Sequence, residues 1–469
     1  MRGRNLIVCA SALIFVGCIM GQHVQPAFAA GDSAGSPVGD PGGDPGVKYE
    51  ANWASLDQRP NPAWFEEAKF GIFIHWGVYS VPSWGEKTKY AEWYWHDMMN
   101  EKGATWAFHE KTYGAKFKYQ DFAPMFKAEM FDPAQWADIF KRSGAKYIVL
   151  TSKHHEGFCL WPDPNNWNWN AVDVGPHRDL AGDLIAAVRA AGLRMGFYYS
   201  IYEWFNPLYK SDVNRYVDQY MLPQLKDLVT RYQPDIVWPD GEWDHPSATW
   251  RSEEFLAWLF NESNAPKDVV VNDRWGKECR NVHGGFATPE YGHLPAGRLT
   301  DAGLFEECQG MGHSFGYNRN EAAEDYRSST ELLHLLIDNV SRGGNLLLDI
   351  GPTADGRIPD IMQQRLLDMG EWLEVNGEAI YGADAWKVAP KLDTVRFTQK
   401  PDAIYAICLE WPEGELAVPG AGAVKEVTLL GHNQPLEVKS DGGTARITPP
   451  VLTIGQMPCR HAYVFRLAR

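Results

Sequence analysis

Residues 131–158 read FDPAQWADIFKRSGAKYIVLTSKHHEGF, and this stretch contains one complete unit of the fold. Asp132 and Pro133 predict a helix start, because an Asp side chain caps the first turn and Pro fits there without losing a hydrogen bond. Gly144 ends the helix, and the continuous apolar run 147–150 predicts a fully buried strand. Polar residues 153–158 follow directly. The stretch therefore predicts a helix packed on a parallel strand whose C-terminal end is polar.

The same alternation of amphipathic helix and apolar strand recurs along most of the chain. Together with 147–150, strands are predicted at 70–74, 195–199, 235–238, 269–271 and 346–348. A closed (β/α)8 barrel needs two more strands, which we expect between residues 276 and 320. A doubly wound open sheet is the alternative, but no Gly-rich phosphate-binding motif follows any strand. The pattern favours a TIM-like barrel.

The last part of the chain has a different pattern, with short alternating runs separated by Gly, Pro and Asp. Such runs occur at 395–397, 403–408, 427–430 and 463–465. Alternation with a period of two is typical of strands that bury one face. We therefore expect residues 49–385 to form the barrel domain and residues 386–469 to form a small antiparallel β-sandwich.

The N-terminus has the pattern of an export leader. Two Arg residues precede an apolar run over 6–20, and small residues at 27 and 29 flank a Phe, as at a cleavage site. We expect residues 1–30 to be a cleaved signal peptide and the Gly-, Pro- and Asp-rich residues 31–48 to be a flexible linker. No second apolar run reaches membrane-spanning length, so we expect an exported protein without membrane insertion.

Composition and charge restrict the ligand classes. The 44 basic and 60 acidic residues give a net charge of −16, which argues against nucleic-acid binding. The 20 Trp and 20 Tyr residues suit neutral ligands with apolar faces, such as sugars. We therefore expect a neutral small-molecule or glycan ligand and no nucleic-acid partner.

Nearly every predicted strand runs into a polar or aromatic cluster at its C-terminal end. These clusters lie at 75–77, 153–158, 198–200, 238–243, 272–275 and 349–352. In a barrel of parallel strands all these ends meet at one rim, where active sites are built. Six clusters in phase therefore predict an active site at that rim.

The residue types at these strand ends favour acid–base chemistry without a metal. His154 and His155 are adjacent, so on a strand they would point to opposite sides, and no second His cluster could complete a metal site. No GxSxG motif is present, which argues against a serine hydrolase. Carboxylates among Trp, Tyr, His and Arg fit glycoside hydrolysis, which uses two carboxyl groups. We expect no catalytic metal.

Six motifs occur in order along the chain: FGIFIHWG (70–77), AEWY (91–94), KHHEGF (153–158), WPDGEW (238–243), NDRWG (272–276) and NLLLDIGP (345–352). In sequence and order they resemble the α-L-fucosidases of glycoside hydrolase family 29. The resemblance covers roughly residues 50–385, with a similar C-terminal β domain beyond. It implies retaining hydrolysis of terminal α-L-fucose through a covalent fucosyl-enzyme, fucosylated oligosaccharides or glycoconjugates as substrates, and no cofactor.

The resemblance also implies roles for individual residues. Asp240 matches the nucleophile, and Glu242 is the local alternative, although Gly241 suggests that the chain has already turned there. The positions that match sugar-binding residues are His75, Glu92, Trp93, His154, His155, Tyr199, Trp238 and Arg274. We interpret Asp349 as a structural residue.

Fucose carries a methyl group where most hexoses carry a hydroxyl, so its pocket needs one apolar wall. Phe73, Trp238 and Phe315 are the candidates for that wall. A polar remainder of the pocket would then bind the ring hydroxyls.

The general acid/base has two candidates, Glu290 and Glu306, in the irregular region downstream of Asp240. Glu290 stands alone after Pro289, whereas Glu306 is followed by a second Glu, so the two acids of that pair face different directions and one would be solvated. A lone Glu beside Asp240 gains a raised pKa both from burial and from its like-charged neighbour. We therefore favour Glu290 over Glu306.

Two other functions are compatible with the same architecture. A carbohydrate-binding protein without activity would lack a key carboxylate, but Asp240 and several Glu residues are present. Another retaining barrel glycosidase, such as a galactosidase, would share the barrel but not the ordered motifs. The residues favour an exo-acting α-L-fucosidase over both.

Overall fold

The N-terminal two thirds of the chain are built around a parallel β-sheet covered by helices. The computed structural model describes residues 47–292, 297–432 and 434–469, so the predicted signal peptide and nearly all of the predicted linker lie outside the described residues. The strands of this sheet are β1 (Phe70–Ile74), β2 (Tyr147–Lys153), β3 (Arg194–Ser200), β4 (Ile236–Asp240), β5 (Val270–Val271), β6 (Glu306–Gly310) and β7 (Asn345–Ile350).

All neighbouring strands of the sheet run parallel, in the order β5-β4-β3-β2-β1-β7-β6. The predicted strands are confirmed, and β6 is one of the two that we expected between 276 and 320. The position between β5 and β6 is occupied by an irregular segment, residues 284–290. Ala287 makes an isolated parallel bridge to Phe305, which directly precedes β6, and Glu290 makes one to Cys308 within β6. The TIM-like barrel is thereby confirmed, with one irregular position.

Glycines allow the irregular segment to pass close to β5. A Cβ on Gly285 would lie 2.5 Å from the carbonyl oxygen of Val271, and Gly284 has a positive φ of 100°. Residues with side chains would be excluded sterically at the first position and strained at the second. This close approach brings Glu290 to the rim of the barrel.

Helices cover the outside of the sheet. They are α1 (Trp53–Leu56), α2 (Ala63–Ala68), α3 (Tyr94–Met98), α4 (Ala104–Tyr113), α5 (Pro133–Arg142), α6 (Leu180–Ala190), α7 (Pro207–Ser211), α8 (Val213–Tyr216), α9 (Leu222–Tyr232), α10 (Ser247–Trp250), α11 (Ser252–Asn261), α12 (Arg298–Asp301), α13 (Ser329–Ser341) and α14 (Asp360–Asn376). Helix α5 begins as predicted, since the Asp132 side chain accepts hydrogen bonds from the backbone N–H groups of Ala134 and Gln135. No helix among the described residues has the length and hydropathy needed to cross a membrane.

The strands bury both faces, and alternate residues belong to two different cores. Ile72, Ile74 and Tyr199 pack outward against the helices, whereas Phe73 and Tyr198 point into the barrel interior. This alternation follows from the two-residue period of a strand. It decides which strand residues can reach a pocket at the barrel mouth.

The C-terminal part forms the predicted antiparallel β-sandwich. Its strands are β8 (Asp384–Ala385), β9 (Val395–Lys400), β10 (Ala403–Cys408), β11 (Leu416–Val418), β12 (Glu426–Leu429), β13 (Val438–Asp441), β14 (Thr444–Ile447) and β15 (Tyr463–Ala468). One sheet has the order β12-β15-β10-β9-β8 and the other the order β11-β14-β13, and both contribute to one apolar core. The indole of Trp372 on α14 donates a 2.9 Å hydrogen bond to the carbonyl of Ala462, which ties the sandwich to the barrel.

Candidate active site

A small pocket of about 70 Å³ opens where the barrel strands end. It is lined by Phe73, His75, Tyr90, Glu92, Trp93, His154, His155, Tyr198, Trp238, Asp240, Trp243, Arg274, Glu290, Cys308 and Phe315. All the predicted site residues except Tyr199 and Glu306 therefore line one pocket. Its volume lies well below the roughly 300 Å³ at which drug-sized ligand sites begin, so it is too small for more than one sugar ring.

Asp240 is the last residue of β4 and lies on the pocket wall with 6% of its surface exposed. Its carboxylate accepts a 2.6 Å hydrogen bond from Arg274 Nη1 and a 2.9 Å hydrogen bond from Tyr198 Oη. Burial acts to raise the pKa of Asp240, but the positive charge of Arg274, with a smaller contribution from Arg280, outweighs it and lowers the pKa. Asp240 is therefore ionised at neutral pH.

Glu242 does not line the pocket, because the chain turns directly after Asp240. Gly241 has a φ of 82°, and a Cβ there would lie 2.5 Å from Cβ of Tyr202. The carboxylate of Glu242 instead accepts a 2.6 Å hydrogen bond from Arg280 Nε and is buried. The local alternative to Asp240 is thus turned away from the pocket.

Arg274 joins the two carboxylates of the pocket. While its Nη1 binds Asp240, its Nη2 donates to Glu290 Oε1, and its Nε donates a 2.8 Å hydrogen bond to Thr288 Oγ1. The guanidinium carbon lies 4.4 Å from the centre of the Trp238 ring. Asp240 and Glu290 therefore contact neighbouring nitrogens of one guanidinium, although 50 residues separate them in the sequence.

Histidines follow β1 and β2 and form another part of the pocket wall. His75 Nδ1 makes a 2.6 Å hydrogen bond with Asp349, and His155 Nδ1 makes one of 2.6 Å with Ser200 Oγ. Burial and the neighbouring His154 lower the pKa of both His75 and His155, so both rings are neutral. They can bind sugar hydroxyls without adding charge.

His154 and His155 both line the pocket, so the expectation that they point to opposite sides was wrong. Strand β2 ends at Lys153, and the two-residue alternation does not continue into the turn that follows. Their rings lie 4.2 Å apart, centre to centre. Among the described residues, no three His, Cys, Asp or Glu side chains are grouped as metal ligands.

Two segments from outside the strands complete the pocket. The 3-10 turn Ala91–Trp93 places Glu92, whose carboxylate accepts a 2.8 Å hydrogen bond from the backbone of Gly316. Phe315 then stacks on His75 with a distance of 4.9 Å between ring centres. The candidate apolar wall is therefore present in the pocket, since Phe73, Trp238 and Phe315 all line it.

Tyr199 is placed outside the pocket, and its neighbour Tyr198 occupies the predicted position. The Tyr199 hydroxyl donates a 2.7 Å hydrogen bond to Gln224 of α9, within the outer core. A one-residue error in strand register moves a side chain to the opposite face. The sequence cluster 198–200 indicated the right strand end but did not show which tyrosine faces inward.

Glu306 is also placed outside the pocket. It is the first residue of β6 and lies at the N-terminal end of the barrel interior, where it is fully buried. Its carboxylate accepts hydrogen bonds from the Tyr147 hydroxyl and from Trp238 Nε1. Burial raises the pKa of Glu306 and the two hydrogen bonds lower it by less, so the pKa is about 7. Its neighbour Glu307, expected as a possible solvated acid, is 2% exposed and pairs with Arg342.

Sequence reasoning missed Tyr90, Trp243 and Cys308 as pocket residues. Tyr90 directly precedes the AEWY motif, and Trp243 ends the WPDGEW motif, so both were adjacent to recognised signals. Cys308 follows Glu306 by two residues on the same face of β6, one level nearer the rim. The sequence did not show where β6 begins, so it could not show that Cys308 lies nearer the rim than Glu306.

Comparisons with known proteins identify the family. A family model described as α-L-fucosidase matches residues 44–378, and one described as α-L-fucosidase C-terminal domain matches residues 391–468. The chain belongs to the α-L-fucosidase family. It is thus a glycoside hydrolase of the α-L-fucosidase type, which decides against the galactosidase and the inactive carbohydrate-binding protein.

Individual relatives are similar to this chain over nearly their whole length. The tissue α-L-fucosidase of Bos taurus is 45% identical over 433 residues, which cover 90% of this chain and 91% of the relative. The plasma α-L-fucosidase of Homo sapiens is 45% identical over 441 residues, covering 90% and 92%. A crystal structure of Thermotoga maritima α-fucosidase with a mechanism-based inhibitor is 39% identical, with a TM-score of 0.78 and coverage of 90% and 100%.

Proposed function

We propose that this α-L-fucosidase releases terminal α-L-fucose with retention of configuration, using Asp240 as nucleophile and Glu290 as acid/base. The observation that supports this most strongly is the shared contact of both carboxylates with Arg274 in one pocket. Retaining glycosidases hold their two carboxyl groups about 5 Å apart, whereas inverting ones separate them by about 6.5–9.5 Å to admit water. Carboxylates bound to neighbouring nitrogens of one guanidinium favour the shorter separation.

Asp240 is suited to attack because it is ionised and held in place. An Asp240 oxygen bonds to the anomeric carbon as the glycosidic bond breaks and its electron pair moves to the departing oxygen. Hydrogen bonds from Arg274 and Tyr198 orient the carboxylate, while the neutral His155 Nε2 lies 3.6 Å away. The product of this step is a β-linked fucosyl ester.

Glu290 is suited to proton transfer because it lies at the pocket mouth. Its side chain is 33% exposed, so both a departing sugar and an incoming water molecule can reach it. In its protonated form Glu290 would bind the glycosidic oxygen of the substrate in place of Arg274, and it would give that oxygen its proton as the glycosidic bond breaks. In the second step Glu290 removes a proton from the water that attacks the anomeric carbon.

Glu306 fits proton transfer by its pKa but not by its position. A pKa near 7 is what an acid/base requires, yet the middle layer of the barrel interior, including Trp238, separates Glu306 from the pocket. A general acid must come within hydrogen-bond reach of the oxygen that it protonates. Geometry therefore outweighs the favourable pKa, and we assign Glu306 a structural role.

Substrates and location follow from the same proposal. The pocket admits one terminal sugar, so fucosylated oligosaccharides or glycoconjugates are cleaved from their non-reducing fucosyl end. Neither step needs a metal or a cofactor. We also propose that residues 1–30 direct export of the enzyme, as their sequence pattern predicts.

The test combines two variants with substrates of different leaving groups. Asp240→Gly should lower kcat on nitrophenyl α-L-fucoside by several orders of magnitude, and azide should restore turnover as β-fucosyl azide. Glu290→Ala should lose far more activity on a fucosyl disaccharide than on dinitrophenyl fucoside, because only the poor leaving group needs the proton. Azide should then give the α-fucosyl azide.

Glu306→Gln is the matched control, since it neutralises the rival carboxyl without changing its volume. Any loss of activity in this variant, relative to the unmodified enzyme, should be the same for the disaccharide and for dinitrophenyl fucoside. A leaving-group dependence in Glu306→Gln, with uniform loss in Glu290→Ala, would exchange the two roles. Formation of α-fucosyl azide by Asp240→Gly would refute the nucleophile assignment.

A further inference from the structure

Two larger cavities adjoin the sugar pocket on different sides. One, of about 640 Å³, shares Tyr90 and Trp93 with the pocket. The other, of about 320 Å³, shares Trp243 and Glu290 with it. Either cavity is large enough for the sugar to which fucose is attached, so volume alone does not select between them.

The position of the acid/base selects between the two cavities. The group that protonates the glycosidic oxygen must lie at the junction between the fucose ring and the leaving sugar. Glu290 lines the sugar pocket and the 320 Å³ cavity, whereas the 640 Å³ cavity touches neither Glu290 nor Asp240. If the leaving sugar occupied the larger cavity, the glycosidic oxygen would lie on the side of the pocket away from Glu290 and could not take its proton.

We propose that the 320 Å³ cavity between Trp243 and Arg280 binds the leaving-group sugar and thereby contributes to substrate specificity. This proposal rests on the role of Glu290 under the proposed function. The cavity is near the lower end of ligand-site volumes, so it holds about one or two pyranose rings.

The cavity wall has the chemistry of a binding site for a neutral pyranose. Trp243 is 40% exposed and offers a flat apolar face. Arg280 has 36% of its side chain exposed, and its Nε is occupied by the buried Glu242. The Glu242 contact fixes the guanidinium, while its exposed edge can donate to hydroxyl or carbonyl oxygens of a sugar. Stacking plus fixed donors is the usual arrangement for a sugar with one apolar face.

Trp243 is held in place by the aromatic side chains around it. Its ring centre lies 5.2 Å from that of His155, 5.9 Å from that of Tyr202 and 6.1 Å from that of Trp93. Such contacts limit the rotation of the indole before substrate arrives, so little ordering is needed on binding. The site is therefore preorganised.

The experiment compares a substrate with a leaving sugar and one without. α-L-Fucosyl fluoride has a leaving group that fills no second site and needs no protonation, whereas fucosyl disaccharides with α1,2, α1,3, α1,4 and α1,6 linkages carry a hexose. In Trp243→Ala we expect the ratio of kcat/KM for the best disaccharide to that for the fluoride to fall about tenfold, the effect of losing one stacking contact. Trp243→Phe should recover most of that ratio because it keeps an aromatic face.

Lys89→Ala is the control in the larger cavity. Lys89 is exposed at that cavity's wall and lies outside the pocket. The ratio should not change in this variant. A fall in Lys89→Ala without a fall in Trp243→Ala would place the leaving sugar in the larger cavity and overturn the proposal.

Equal losses on fluoride and disaccharide in Trp243→Ala would also overturn it, because they would mean that Trp243 serves only the fucose ring. Failure of the proposed function would be recognised by a different result. In that case Glu290→Ala would lack leaving-group dependence, whatever the Trp243 variants do. The two proposals can therefore fail separately.

Discussion

Asp240 and Glu306 are two buried carboxylic acids inside the same barrel, yet their pKa values are shifted in opposite directions. The pKa of Asp240 is lowered and that of Glu306 is raised. Asp240 lies at the rim with 6% exposure, and Glu306 lies at the other end with none. Burial raises the pKa of both, but in Asp240 the guanidinium of Arg274 reverses the effect. Glu306 accepts hydrogen bonds from the neutral donors Tyr147 and Trp238, and Arg274 has a smaller effect on it than these hydrogen bonds, so its pKa remains raised to about 7.

The comparison shows that burial does not decide the charge of a carboxyl group; its partners do. A full positive charge in contact offsets desolvation, whereas neutral hydrogen bonds offset only part of it. The rim of this barrel supplies such charges from loops after the strands, and its N-terminal end is closed by apolar side chains such as Phe65. The same barrel can therefore hold an ionised nucleophile and a protonatable structural acid.

The largest effect is expected from removing the charge that distinguishes the two acids. Arg274→Met should lower kcat/KM by about a thousandfold, since it leaves the buried Asp240 without its main counter-charge. The pKa of Asp240 should rise, and because only the ionised form attacks, the acidic limb of the pH–activity profile should move to higher pH. Steady-state kinetics from pH 3 to 8 measures both effects.

Arg274→Lys is the matched control. It keeps the positive charge but loses the planar guanidinium, whose two terminal nitrogens contact Asp240 and Glu290. We expect its acidic limb to stay near that of the unmodified enzyme while kcat falls. If Arg274→Met left the acidic limb in place, Arg274 would not be what keeps Asp240 ionised.

An intermediate effect is expected at a third buried carboxyl group, Asp349, which binds His75 at 2.6 Å. Burial, with a smaller contribution from Glu92, raises the pKa of Asp349 well above its usual value. We expect Asp349→Leu to lower kcat/KM for fucosides by roughly ten- to a hundredfold, mainly through KM, because His75 loses the contact that directs its Nε2 toward the sugar. Inhibition by free L-fucose should weaken in parallel.

A double-variant cycle distinguishes positioning from general damage. If Asp349 acts through His75, the double variant His75→Ala with Asp349→Leu should be no worse than His75→Ala alone. Additive losses would show that Asp349 has an independent role, such as supporting the end of β7.

The smallest effect on activity is expected at Glu306, where the consequence is instead a pH-dependent stability. The pKa of Glu306 is about 7 in the folded chain, against 4.5 for an unperturbed Glu. Between these values the folded state binds the extra proton, so the free energy of unfolding falls as pH rises from 4.5 to 7. Glu306→Gln removes this dependence and should gain stability relative to the unmodified enzyme, by on the order of 2 kcal/mol, between pH 5 and pH 7.5.

Denaturant unfolding at the two pH values measures this difference, and kcat/KM should stay within about threefold because the carboxyl is remote from the pocket. An equal stability difference at both pH values would mean that Glu306 is ionised throughout. It would then resemble Asp240, and the contrast between the two ends of the barrel would be lost.

The sequence alone determined the barrel, the sandwich and most of the pocket. Apolar strands between amphipathic helices require a covered parallel sheet, and the C-terminal ends of such strands converge, so polar clusters after each strand must meet. The strand-end clusters that contain His75, Asp240 and Arg274 could therefore be placed from the pattern, whereas the roles of these residues came from the resemblance to the α-L-fucosidases. Gly241 indicated why Glu242 turns away. These inferences rest on local patterns, which a linear sequence contains in full.

Only the tertiary structure decided the features that depend on register and on distant neighbours. Tyr198 rather than Tyr199 faces the pocket because the position of β3 fixes which alternate residues point inward. Glu290 rather than Glu306 reaches the rim because an irregular segment pairs with β6 and carries Glu290 toward its C-terminal end. The opposite pKa shifts of Asp240 and Glu306 follow from which charges lie within a few ångströms, and those charges come from residues tens of positions away in the sequence.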